Sequence, residues 1–125
     1  MIEFDYIEDD PIIPIKLKNG NRILILDFFI DSGADMSMIP LSFAKKLGFD
    51  NWKIEEIENA RGVEGGEIPY FVRKAKMKIG NKNFDVRIAC ALQENVPFLL
   101  GRKDIFDKFQ VCFNDKTKKV KFTEL

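Results

Sequence analysis

The chain has 125 residues, of which 46% are hydrophobic and 32% charged, a globular composition long enough for a single domain over residues 1–125 without disulfide staples or a structural metal. Twenty Lys plus Arg balance twenty Asp plus Glu, so no broad positive field points to a nucleic-acid partner. The absence of histidine removes the commonest general base, the commonest metal ligand and every His-dependent triad, which leaves any chemistry to carboxylates.

Residues Met1 to Pro14 are acidic and interrupted by Pro11 and Pro14, unlike a signal or transit peptide, and no apolar run reaches membrane-spanning length. A reduced, soluble, cytoplasmic protein with no membrane partner is the expectation. Pro11 to Lys18 alternates apolar and polar residues, Asn19-Gly20-Asn21 is a turn, and Arg22 to Ile30 continues as a strongly apolar strand, so a hairpin is predicted. Pro40, the apolar positions Leu41, Phe43, Ala44 and Leu47, and Gly48 just beyond mark a short helix. Ile and Glu alternate over 53–58. The glycine-rich stretch Gly62 to Gly66 then separates them from a strand over Glu67 to Ile79, forming an exposed hairpin.

Gly80-Asn81-Lys82-Asn83 turns the chain into a strand from Phe84 to Leu92, and Val96 to Leu100 is a short apolar strand ending at Gly101. Ile105, Phe106 and Phe109 at helical spacing predict a second helix over Arg102 to Phe109. Val111 to Phe113 and Val120 to Phe122 close the chain as a terminal hairpin. Period-two alternation outweighs helical spacing throughout, so the fold class is mainly β. Cys90 and Cys112 are too far apart in sequence for paired zinc ligands and are read as buried strand residues. Lys116, Lys118, Lys119 and Lys121 read as the solvated face of the last hairpin.

One segment carries chemistry. Phe28-Phe29-Ile30-Asp31-Ser32-Gly33-Ala34 sets a carboxylate at the end of an apolar strand, beside a hydroxyl and a turn glycine. A charge at a buried strand end needs hydrogen bonds from backbone N–H groups or from another acid. Read blandly, Asp31 only caps a turn, and the Asp-Ser-Gly triplet by itself is a weak signal. Ser32 is a poor candidate for a hydrolytic nucleophile, with no histidine present and no lysine placed by motif as its base.

In context, Ile30-Asp31-Ser32-Gly33-Ala34-Asp35 resembles the signature of the retroviral-type, retropepsin-like aspartic proteases. The second hallmark of that family, an apolar pair followed by glycine and arginine, is matched by Phe98-Leu99-Leu100-Gly101-Arg102. The Gly62 to Gly66 hairpin sits between them, where the family has its substrate-covering flap. The resemblance spans about residues 10 to 122 and is strongest to the cellular members. It implies a closed, barrel-like sheet with a flap hairpin and two short helices, one lobe per chain.

It further implies that Asp31 is the catalytic acid, braced by Ser32 and Gly33, with Gly101 and Arg102 supporting its loop. Ala34, Asp35, Met36, Val63, Gly65 and Gly66 would contact substrate, with Ile68 near an apolar pocket, and Asp35 would form a buried bidentate ion pair with Arg102. Because only one such triplet occurs, the second acid must be Asp31 of another copy, so a homodimer is implied. The substrate would be an extended polypeptide, and neither a metal nor another cofactor is expected. Viral members dimerise through short terminal strands, whereas this chain ends in a hairpin.

The competing reading is a retropepsin-fold module that binds peptides or dimerises without cleaving. Phosphate chemistry fits poorly. Haloacid-dehalogenase-type phosphatases need a second acid where Gly33 stands, and actin-like ATPases need a second lobe that 125 residues cannot supply.

Overall fold

The computed structural model describes residues 1–61 and 65–125; Gly62, Val63 and Glu64 lie outside the described residues. The chain runs β1 (Ile2–Asp5), β2 (Ile12–Asn19), β3 (Arg22–Ile30), β4 (Ser37–Ile39), α1 (Leu41–Lys46), a 3-10 turn at Ile54–Glu56, β5 (Glu58–Arg61), β6 (Glu67–Ile79), β7 (Lys82–Ala91), β8 (Leu99–Leu100), β9 (Phe109–Asn114) and β10 (Lys119–Glu124). The larger sheet has the order β2-β3-β8-β4-β7-β6-β5, and β6 returns to pair with β2. That last pairing closes the sheet on itself, so the barrel-like architecture expected from the sequence is the one observed.

Alternation explains both the register and the core. Ile13, Ile15 and Leu17 of β2, Ala75, Met77 and Ile79 of β6, and Val86, Ile88 and Cys90 of β7 are buried at every second position, as a strand with one face inward requires. The β2–β3 and β6–β7 hairpins pair Asn19 with Arg22 and Ile79 with Lys82. Each therefore has a two-residue loop, with Gly20 or Gly80 first at φ +60°, the conformation a type II′ turn demands. Trp52 stacks on Phe71 at 4.7 Å and covers one side of the core.

A second, three-stranded sheet has the order β1-β10-β9. It joins the barrel through aromatic edges: Phe84 on β7 meets Phe109, Phe109 meets Phe122, and Phe122 meets Phe4, at centroid distances of 5.7, 5.6 and 5.9 Å. The terminal hairpin was legible in the sequence. Its third strand, β1, was not, because an acidic start masked the alternation of Ile2 and Phe4.

Three further expectations are corrected. Residues 103–108 form successive turns rather than a helix, because Asp104 adopts φ +67° and breaks the helical repeat after Arg102 accepts from the amides of Ile105 and Phe106. The strand expected over Val96 to Leu100 contracts to Leu99–Leu100, since Pro97 has no N–H to give to a ladder. Cys112 is exposed while Cys90 is buried; on β9 the core-facing positions are Phe109 and Val111, and Cys112 falls on the outward phase. Burial pushes the Cys90 thiol up to about 12, so it is an inert packing residue.

Candidate active site

The chain around Asp31 is laid out by a crossing of strands. β8 lies between β3 and β4, parallel to β3 with Phe29 opposite Leu99 and Ile30 opposite Leu100, and antiparallel to β4 with Met38 opposite Leu99. The two ends of the 31–36 loop therefore flank a single short strand, of which Leu100 is buried and Leu99 partly so. Asp31 leaves β3 with its own N–H donating to the Leu100 carbonyl at 2.9 Å, and the Phe29 amide donates to the Phe98 carbonyl at 2.9 Å.

Within the loop, the Gly33 amide donates to Asp31 Oδ1 at 2.9 Å, and the Ala34 amide donates to the Asp31 carbonyl at 3.1 Å. A Cβ on Gly33 would stand 3.2 Å from that same carboxylate oxygen, so glycine lets the amide approach closely. Oδ2 has no hydrogen-bond partner among the described residues. The Ala34 and Asp35 carbonyls accept from the amides of Arg102 and Lys103 at 3.0 and 2.9 Å. One carboxylate is thus held by backbone alone, with one oxygen oriented and the other available.

Gly101 makes the crossing possible. A Cβ there would lie 2.4 Å from the Met36 carbonyl carbon, closer than any side chain tolerates. Its amide donates to the Ser37 hydroxyl at 3.0 Å. Ser37 is fully buried and was missed in the sequence, because a serine next to Met36 and Met38 offers no local sign that its partner lies 64 residues away.

A cleft of about 690 Å³ opens above this floor, and Asp31, Gly33, Ala34, Asp35, Met36 and Ile68 all line it. Its far wall includes Tyr70 and Met38 from the sheet, and Arg61 from β5, none of which the motifs pointed to. Burial, reinforced by the charges of Glu58 and Asp35, raises the Tyr70 phenol above its ordinary value, so it remains a hydrogen-bond donor across the neutral range.

The sequence profile of a family described as aspartyl protease matches residues 13–103. The chain belongs to the aspartyl protease family. It is 27% identical over 97 residues to DNA damage-inducible protein 1 of Yarrowia lipolytica (strain CLIB 122 / E 150), a match covering 77% of this chain and 24% of that protein. The chain accordingly spans about a quarter of that relative's length. A retropepsin-like aspartic protease from Rickettsia conorii shares the fold with a TM-score of 0.70 at 21% identity, covering 95% of both chains. EIAV protease complexed with the inhibitor HBY-793 shares it with a TM-score of 0.62 at 22% identity, over 80% of this chain and 88% of that one.

For this retropepsin-like chain the structure brings together Asp31, Gly33, Ala34, Asp35, Met36 and Gly101. Ser32 is exposed, and its hydroxyl bonds to no described residue. Gly65 and Gly66 are exposed and do not line the cleft, and Val63 lies outside the described residues. The Asp35–Arg102 pair is also corrected. It is neither buried nor bidentate: Arg102 Nη2 lies 3.7 Å from Oδ1, Lys103 Nζ lies 3.3 Å from Oδ2, and all three side chains are largely exposed. A bidentate pair forms instead between two other residues, where the Arg87 guanidinium donates through Nε and Nη2 to both oxygens of Asp104 at 2.8 and 2.9 Å.

Proposed function

We propose that the protein is an aspartic endopeptidase that works as a homodimer, with the Asp31 carboxylates of two copies facing each other across a two-fold axis. The observation that carries this reading is the backbone-held Asp31 at the floor of an open cleft, with one such carboxylate per chain. Two carboxylates sharing a site do not both ionise. One takes a proton from water as it attacks the scissile carbonyl, and the other, protonated, donates a hydrogen bond to the carbonyl oxygen. Gly33 positions the acid through its amide, Ser32 follows in the exposed turn without bonding to it, and Gly101 and Arg102 support its loop. Substrate lies extended along the cleft over Ala34, Asp35, Met36 and Ile68.

The open edge of β9 is the surface on which we place the partner. β9 pairs only with β10 among the described strands, and the 102–108 turns join its start directly to the Asp31 floor. Identical strands pairing antiparallel about a two-fold give a self-complementary contact. Exposed Phe113, 43% accessible, adds apolar surface beside it.

The decisive experiment incubates the chain with unfolded protein from acidic to neutral pH, beside Asp31→Asn. The parent is expected to cleave, with a pH profile limited on both sides, and the variant to lose about 10³-fold in rate. Equal cleavage by both overturns the assignment of Asp31. No cleavage by a sample verified as a dimer identifies a peptide-binding module that does not hydrolyse.

A further inference from the structure

At the opposite end of the barrel, the pairing that closes it is built from like charges. In the β2–β6 register, Lys16 stands opposite Lys78 and Lys18 opposite Lys76. All four face outward, since Ile15, Leu17, Ala75 and Met77 occupy the inward phase. The row continues to Lys74, which faces Arg87 across β7. Like charges directly opposite one another weaken a sheet, so closure of the barrel is not what these side chains serve. Lys76 is paired with Asp85 at 2.8 Å, while Lys16, Lys18 and Lys78 form no ion pair with a described residue. They surround a depression of about 610 Å³ that Asn21 and Asn83 also line.

The neighbouring strand adds the second half of the pattern. Ile25 lies opposite Lys16 and Ile23 opposite Lys18, and these isoleucines are 72% and 48% exposed. Two rows therefore run across the face, Ile25-Lys16-Lys78 and Ile23-Lys18-Lys76, with cations about 5 Å apart across strands and about 7 Å apart along them. An extended polypeptide presents side chains of one face at that same spacing of about 7 Å. The rows contain no aromatic ring on which a nucleic-acid base could stack.

We infer that this face is a docking site for an acidic polypeptide segment whose carboxylates meet the lysines while its apolar residues cover Ile23 and Ile25. The site lies at the turn end of β3, about 25 Å from Asp31 by the length of that strand. It therefore stands whether or not Asp31 hydrolyses anything.

The test measures fluorescence anisotropy of a short labelled peptide alternating Glu with Leu, titrated with the full chain. A Gln-Leu peptide and a labelled oligothymidylate serve as comparison probes. The Lys18→Glu/Lys78→Glu variant places a carboxylate opposite each remaining lysine, so its melting temperature should hold or rise while binding weakens about tenfold or more. Lys45→Glu/Lys116→Glu makes the same change in net charge elsewhere and should bind like the parent. Rising salt should weaken the parent's binding. Equal binding by the Lys18→Glu/Lys78→Glu variant, equal affinity for the Gln-Leu peptide, tighter binding of the oligothymidylate, or no binding at low salt would each overturn the inference.

Discussion

The Asp31 floor and the terminal sheet solve opposite problems with the same material. At the floor, β8 has a strand on each side, and the loop beside it has its carbonyls and carboxylate engaged by backbone amides. In the terminal sheet, β1 and β9 each leave one edge without a described partner, although Phe109, Val120 and Phe122 are as deeply buried as the barrel core. The difference teaches where the fold is internally satisfied and where it leaves backbone groups for a proposed partner. A carboxylate held in one orientation needs its loop backbone engaged, whereas an edge proposed to receive a second copy needs its ladder groups left unpaired.

That contrast can be broken most forcefully at Phe122. If the terminal sheet is integral to the core, Phe122→Ala should destabilise the chain by about 3–5 kcal/mol, measured by urea denaturation; a loss below about 1 kcal/mol would make the sheet an appendage. At the floor, Gly101→Ala forces a methyl group into the Met36 backbone and should cost about 3 kcal/mol, with proteolytic activity falling further than the folded fraction does. An unchanged melting temperature would mean that the crossing is looser than its distances indicate.

The β9 edge admits a finer test. Successive amides of a strand point to opposite neighbours, so of Val111→Pro and Cys112→Pro one removes a bond to β10 and the other only the free edge. One variant should unfold or weaken, while the other keeps its circular dichroism but sediments as a monomer at concentrations where the parent is expected to sediment as a dimer. Dimers from both variants would exclude this edge as the interface.

The smallest effect belongs to the Arg87–Asp104 pair, which ties β7 to the turns below the floor. The side-chain hydrogen bond from Arg87, aided by its amide and charge, holds the Asp104 carboxyl down to about 2 from an ordinary value of 3.8. A lowered folded-state value means that the pair's stabilisation is complete above about pH 4 and is lost as pH falls through about 2. Asp104→Asn, which tolerates the same positive φ, should therefore cost about 1 kcal/mol near neutrality. Its stability curve should converge with the parent's as pH falls from about 4 to about 2.

Much of the fold was legible because period-two alternation and glycine-led turns act locally. β2, β3, β6, β7 and the terminal hairpin can be read from neighbours a few residues apart. The helix misread over Arg102 to Phe109 shows the limit of that reasoning: Ile105, Phe106 and Phe109 do face inward, but Asp104 trades helical geometry for Arg87, a partner 17 residues upstream. At the candidate site, Asp31, Gly33 and Gly101 were visible as motif residues. Tyr70 and Arg61 were not, since strands β5 and β6 bring them to the cleft only when the sheet closes.

By itself, then, the order of residues determined the strand phases, the turns and the one Asp-Ser-Gly triplet to which a catalytic role is proposed, all properties carried by short stretches of the chain. Tertiary structure decided which amides reach Asp31, that Ser37 meets Gly101, that Asp35 stays in solvent, and that four lysines share one outer face. Those are consequences of β8 passing between β3 and β4 and of β6 closing on β2, pairings between segments too distant in sequence for local patterning to specify.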